Sequence, residues 1–196
     1  MNAQIEDAVD ELRAGRVIVM PTDTVYGIAA RPDRAEAIAR IFELKGRPDD
    51  KPLPVLAASR ADLTRVARFD ERAVAVADAF WPGPLTLVLP RAEGFSADLG
   101  GNDKTTIAVR VPESSVALAL LGAAGPLAVT SANHSGQPPA ATIEEARAYF
   151  EDDVAVYLDE GRSLSAPSTV ASLVGGLSVL RRGPISEEAL RQIATS

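Results

Sequence analysis

Residues 168–183 read STVASLVGGLSVLRRG, two short runs rich in β-branched and aliphatic residues with Gly175-Gly176 between them. Each run has the composition and length of a strand. A glycine pair takes the left-handed backbone angles of a hairpin turn at no steric cost, so the segment predicts a tight antiparallel hairpin. Upstream, helical and strand patterns are interspersed. Interspersed elements plus one hairpin imply an α/β fold with a mixed β-sheet and flanking helices.

Working outward, a first helix is predicted from about Ala3 to Ala14, ended by Gly15. RVIVM (16–20) reads as a buried strand running into a polar PTDT turn. Asp33 and Glu36 form a candidate capping box for a helix through Leu44, with Gly46 at its far end. LPVLAA (53–58) is a second strand, and Pro54 suits an edge or a strand start. Two helical patterns cover roughly 61–80, followed by the strands LTLVLP (85–90) and TTIAVRVP (105–112). Ser114 or Ser115 caps a helix through Leu121, PLAVTSA (126–132) is a strand, and Thr142 with Glu145 boxes a helix to Phe150. VAVYL (154–158) is a further strand, and a last helix starts at Ser186. No repeat or linker interrupts the pattern, so one domain over 1–196 is expected.

Composition narrows the function classes. A net charge of −7 argues against a surface that wraps nucleic acid by charge alone. There is no cysteine, hence no thiolate nucleophile and no Cys-ligated zinc, and the single histidine makes a Ser-His-Asp triad or a histidine metal site a poor expectation. No apolar run reaches the ~18 residues of a membrane span, and the acidic N-terminal segment lacks a signal-peptide layout. The expected location is the cytoplasm, with no membrane partner. Phosphate-loop, dinucleotide and nucleophile-elbow motifs are absent.

Several strands end in polar clusters, and in α/β folds such loops converge on ligands. KGRPDDKP (45–52) sets Lys45 and Arg47 around a glycine, with Lys51 close by. An Arg fork beside a Lys point charge suits phosphate oxygens; a solvated basic helix end is the competing reading. TSANHSGQPP (130–139) packs hydroxyls and an amide after a strand, either for recognition or as a Ser- and Asn-rich turn, with His134 a loop residue. Arg110, inside a strand, either pairs with an internal carboxylate or meets an anionic ligand. Asp23 either caps a turn or binds a metal, and capping is the simpler reading. Trp81, before a Pro-Gly-Pro bend, reads as a packed structural ring.

PTDTVYGI, KGRP followed by KPL, WPGPLTLVL, VRVP, TSANHSG, STV and the closing R-x-G of Arg181 to Gly183 occur in one order along nearly the whole chain. That ordered set resembles the YrdC family of threonylcarbamoyl-AMP synthases. The resemblance implies a concave, positively lined cleft on a twisted α/β sheet. It also implies that L-threonine, bicarbonate (or CO2) and ATP give threonylcarbamoyl-AMP and pyrophosphate, for N6-threonylcarbamoyladenosine in tRNA. By motif, Lys45, Arg47, Ser131 and Asn133 are its implied active-site set. Arg47, Lys51, Asn133 and Arg181 are implied ATP contacts, with Thr106 as a further one. Thr24, Arg110, Ser131 and Ser168 are implied to hold threonine or the carbamate, with Tyr26 walling that pocket.

The chemistry implied needs positioning and charge stabilisation rather than a protein nucleophile. Threonine's amine adds to CO2 or bicarbonate, and the N-carboxylate attacks the ATP α-phosphate and displaces pyrophosphate. Mg2+ is expected on the triphosphate, with no protein metal site. A separate tRNA threonylcarbamoyl-transferase complex and weak RNA or tRNA binding are the implied partners. Two positions depart from the family: Leu56 stands where longer members carry histidine, and Lys51 where many relatives have asparagine. The short, single-domain form is expected. The alternatives are a YrdC-like paralogue making another carbamoyl-adenylate, and a non-catalytic RNA-binding or ribosome-maturation module.

Overall fold

The computed structural model describes residues 3–164 and 166–194. In chain order the elements begin α1 (Ala3–Arg13), β1 (Ile18–Met20), β2 (Gly27–Ala30), α2 (Ala35–Lys45), β3 (Val55–Leu56) and α3 (Arg60–Leu63). They continue α4 (Glu71–Phe80), β4 (Leu85–Pro90), β5 (Thr106–Arg110), α5 (Ser115–Ala124), β6 (Leu127–Ser131) and α6 (Ile143–Phe150). The chain closes with β7 (Val156–Tyr157), β8 (Thr169–Ser172), β9 (Ser178–Arg181) and α7 (Glu187–Ala194).

Among the described residues the strands form one nine-stranded sheet in the order β7-β1-β2-β6-β3-β5-β4-β8-β9. The pairs β1/β7, β3/β5 and β4/β8 are parallel and the others antiparallel, so the sheet is mixed, as the sequence pattern implies. The glycine pair does turn a hairpin: β8 and β9 are antiparallel, with Gly175 and Gly176 both at positive φ.

Three local expectations are corrected. PTDT is followed by a strand, β2, which pairs β1 from Ile18↔Ala29 to Met20↔Gly27. A Cβ at Gly27 would stand 2.6 Å from Val129 Cγ1, so the strand starts on glycine because a neighbouring strand presses on it. Asp33 does not cap α2; Arg31 takes its carboxylate through two bonds of 2.9 and 2.8 Å, and Arg34 occupies the cap without a side-chain bond. The LPVLAA strand shrinks to Val55 and Leu56 inside the sheet, while Pro54 stands at its start, one of the two places that suit it.

Two apolar layers flank the sheet. On one face α2, α4, α6 and α7 pack Ile38, Ile41, Val76, Phe150 and Leu190 against the strand residues of the larger core. On the other, α1 and α5 bury Leu12, Leu120 and Leu121 against β1, β2, β6 and Leu56 of β3. That second layer stops there. Among the described residues this second core takes in no residue of β5, β4, β8 or β9, and the cavity forms over those strands.

Candidate active site

The cavity has a volume of about 370 Å³ and is walled by the PTDT turn, the ends of β6 and β3, and the faces of β4, β5, β8 and β9. Arg47, Arg110 and Arg181 line it, and among the described residues no Asp or Glu does. A chain of net charge −7 therefore folds a locally cationic site.

The PTDT hydroxyls are wired in series. Thr22 Oγ1 donates to the Val25 carbonyl at 2.5 Å and receives the Val25 amide at 3.2 Å, so it closes the turn. Its proton being committed, Thr22 can only accept from the Thr24 hydroxyl 3.0 Å away. Thr24 Oγ1 in turn accepts from Arg110 Nη1 at 2.9 Å. The turn is thus both a cap and a pocket rim.

Arg110 takes the first of its two expected fates, the internal carboxylate. It is 6% exposed at the side chain and pairs with Asp23, 9% exposed, through Nη2 and Oδ1 at 2.5 Å. It also donates through Nε to the Gly83 carbonyl at 2.9 Å. Three of its five N–H groups are thereby used, and the side chain still faces the cavity. Burial pulls its pKa down while Asp23 opposes that, and a guanidinium stays charged regardless. Asp23 Oδ1 also takes the Glu113 amide at 3.0 Å, and its Oδ2 is buried without a hydrogen-bond partner among the described residues. Asp23 is neither a simple turn cap nor part of a metal cluster, since no group of three or more metal-ligating side chains occurs among the described residues.

At the opposite wall Arg47 leans on its own loop, donating to the carbonyls of Lys51 (2.9 Å) and Pro52 (3.1 Å). Burial lowers its pKa; Asp50 works against that and the charge of Arg181 adds to it. Arg181 holds Ser168, bonding its carbonyl at 2.9 and 3.0 Å and its hydroxyl at 3.0 Å. Ser168 Oγ then meets Thr86 Oγ1 at 2.8 Å. Thr86 is a polar residue inside the apolar strand LTLVLP, and that mismatch is the signal by which sequence reading could have found it. Gly183 makes the arrangement fit: a Cβ there would lie 2.4 Å from the Thr169 amide nitrogen and 2.6 Å from the Ser168 carbonyl carbon.

Three of the expected active-site set, Lys45, Ser131 and Asn133, are in hydrogen-bond contact with one another, and two of the four line the cavity. Arg47 and Ser131 line the cavity, but Lys45 and Asn133 lie behind it. Lys45 is 2% exposed, and its Nζ donates to the carbonyls of Ser131 (2.5 Å) and Asn133 (2.6 Å) and reaches Asn133 Oδ1 at 3.5 Å. The Asn133 amide nitrogen is spent on the carbonyls of His134 and Gln137. Lys45 is therefore a pin under the Ser131–Asn133 loop rather than a cation facing the cavity, because its three N–H groups point at protein oxygens. Burial and the charge of Arg47 bring its pKa down to about 7.

Lys51 is exposed and joins the site through its carbonyl, not its ammonium. Thr106 sits at the start of β5, pairs with Pro90 and donates to Asp103 Oδ2 at 2.8 Å, outside the cavity wall. Tyr26 does wall the cavity, but its hydroxyl turns away to Asp159 and Gly161, both at 2.7 Å, and burial first, then Asp159, raises its pKa. Leu56 lies in the wall beside Arg110, its register partner. Trp81 packs edge-on against Phe69 and donates to the Leu85 carbonyl at 2.6 Å, the structural role its sequence context implies.

Comparison with known proteins places this geometry. A Mycobacterium tuberculosis protein provisionally named a threonylcarbamoyl-AMP synthase is 43% identical over 96% of this chain and 88% of its own length. The crystal structure of P. abyssi Sua5 complexed with L-threonine matches with a TM-score of 0.91 at 36% identity, over 96% of this chain and 56% of that one. This chain thus spans little more than half of that protein. The crystal structure of E. coli YciO matches with a TM-score of 0.86 at 27% identity, over 95% of this chain and 92% of that one. The family profile described as Telomere recombination, Sua5/YciO/YrdC, covers residues 10–183. With the family profile spanning most of the chain and a relative alike along almost its whole length, this chain belongs to the Sua5/YciO/YrdC family.

Proposed function

We propose that this chain is an L-threonylcarbamoyladenylate synthase, a nucleotidyltransferase that makes threonylcarbamoyl-AMP and pyrophosphate from L-threonine, bicarbonate or CO2, and ATP. One observation carries the reading: three arginines share one cavity, and among the described residues only Arg110 of the three has a carboxylate partner within hydrogen-bond distance. Two cations left for a ligand suit a polyanion. Arg110, Thr24 and the Ser168–Thr86 pair, which Arg181 holds, form a seat in the same cavity suited to an amino acid.

In this arrangement Arg110 holds the threonine carboxylate, and Thr24, whose proton goes to Thr22, offers an acceptor lone pair to the substrate's amine or hydroxyl. The amine adds to CO2 to give an N-carboxylate and releases one proton; from bicarbonate, water leaves instead of the proton. One carboxylate oxygen then bonds the α-phosphorus of ATP as the bond to the bridging oxygen breaks, and pyrophosphate departs with the electron pair. Arg47 and Arg181 take the charge that develops on the phosphates. Ser131 lines the cavity at the segment that Lys45 pins. The wall offers no carboxylate to a metal, so Mg2+ enters as MgATP, part of the substrate. The product serves N6-threonylcarbamoyladenosine synthesis in tRNA through a separate transferase complex, in the cytoplasm. No helix among the described residues is long and apolar enough to cross a membrane.

The test is pyrophosphate release from ATP and bicarbonate with L-threonine, with L-serine, and with neither. Release that requires threonine and bicarbonate is expected. Release with another amine in place of threonine would support the second reading, a YrdC-like paralogue, which the apolar Leu56 in the wall and the full-length likeness to YciO favour.

A further inference from the structure

The β8–β9 ladder contains one irregularity: Ala171 pairs with Val179, but Val170 pairs with Arg181. Leu180 is the extra residue, a β-bulge. In a regular strand neighbouring side chains alternate between faces; a bulge resets that alternation and re-aims a side chain. Val179 packs on the core, while Leu180 and Arg181, consecutive in sequence, both line the cavity.

A singly exposed leucine is ordinary on a protein surface. Leu180, 61% exposed, is not in an ordinary place. Ala108, Val88 and Val170 line the same cavity from β5, β4 and β8, and Ala108 and Val88 are register partners. With Leu180 on β9 they make an apolar strip across four neighbouring strands, and Arg181 stands beside its end. An apolar sheet face next to a guanidinium suits a planar heteroaromatic ring attached to a phosphate chain.

We propose that Leu180, turned into the cavity by the bulge, seats the nucleobase of the bound nucleotide. The proposal rests on the nucleotide-binding part of the function proposed above and adds the surface that separates a nucleotide from a bare polyphosphate. The base covers Leu180 and the strip behind it, while Arg181 and Arg47 meet the phosphates.

Titration calorimetry with ATP and with inorganic tripolyphosphate tests this on the full chain and on Leu180→Ser and Leu180→Met. The native chain is expected to bind ATP at least about tenfold more tightly than tripolyphosphate, the size of one buried leucine contact. Leu180→Ser should lose most of that preference with tripolyphosphate affinity unchanged, and Leu180→Met should keep it. Equal ATP affinity in Leu180→Ser and the native chain would overturn the role of Leu180 alone. So would an equal loss for both ligands, which would place the effect on Arg181. Binding of neither ligand to the native chain would instead bring down the nucleotide reading itself, and this proposal with it.

Discussion

The ammonium of Lys45 lies 2.5 Å from the carbonyl oxygen of Ser131 and 2.6 Å from that of Asn133, fixing α2 to the loop that follows β6. Removing it strands the Asn133 carbonyl, at about 1–3 kcal/mol, while the Ser131 carbonyl keeps the Asn133 amide at 3.1 Å. Lys45→Ala should therefore lower the melting temperature as well as activity. An unaltered melting curve with lost turnover would return Lys45 to the chemistry.

The same residue gives a signed pH effect. Burial has lowered the folded pKa to about 7, below the ordinary lysine value of 10.5. Unfolding therefore takes up a proton between those values, so the contribution is fullest above 10.5 and lost as pH falls towards 7. In urea titrations from pH 7 to 9.5, the native chain should gain stability relative to Lys45→Met as pH rises. A constant difference would mean that the ammonium keeps its ordinary pKa.

Arg47 and Arg181 brace on main-chain carbonyls and, among the described residues, have no carboxylate partner within ion-pair distance. Charge-assisted contacts to phosphate contribute about 1.5–3 kcal/mol, so Arg47→Ala or Arg181→Ala should raise the KM for ATP roughly 10- to 100-fold. The KM for threonine should rise in Arg181→Ala, which frees Ser168, and hold in Arg47→Ala.

Asp23 acts on the substrate through Arg110. Asp23→Asn keeps the shape but removes the charge that fixes the guanidinium, so the KM for threonine should rise about tenfold, with that for ATP within twofold. Steady-state kinetics with each substrate varied in turn reads the split. Equal changes in both would make Asp23 a general stability residue.

At Gly183 a methyl group would collide with the backbone of Ser168 and Thr169, which cannot swing aside as a side chain can. Gly183→Ala should cost about 1–3 kcal/mol and weaken threonine binding, measured by thermal denaturation and calorimetry.

Much of this was written locally. The hairpin was legible because Gly175-Gly176 interrupts two apolar runs, and the Ser114 cap because a hydroxyl precedes a helical pattern. β2 was not, because a strand that opens on glycine and runs through two alanines carries little β-propensity; its place is set by Met20 and Ser131, its partners at Gly27. The pinning role of Lys45 was hidden for a different reason. Its acceptors lie 86 and 88 residues further on, so nothing near KGRP shows that the ammonium is already satisfied. Arg110 was legible as an anomaly but not as a pair, since Asp23 sits 87 residues before it.

The bulge has a second consequence, for association between molecules. β9 is the last strand of the sheet, so its outer row of amides and carbonyls is a template on which another chain's strand could zip. An extra residue breaks the even spacing that such zipping needs and twists the strand away. The irregularity that points Leu180 inward thus also blunts this rim of the sheet against aggregation.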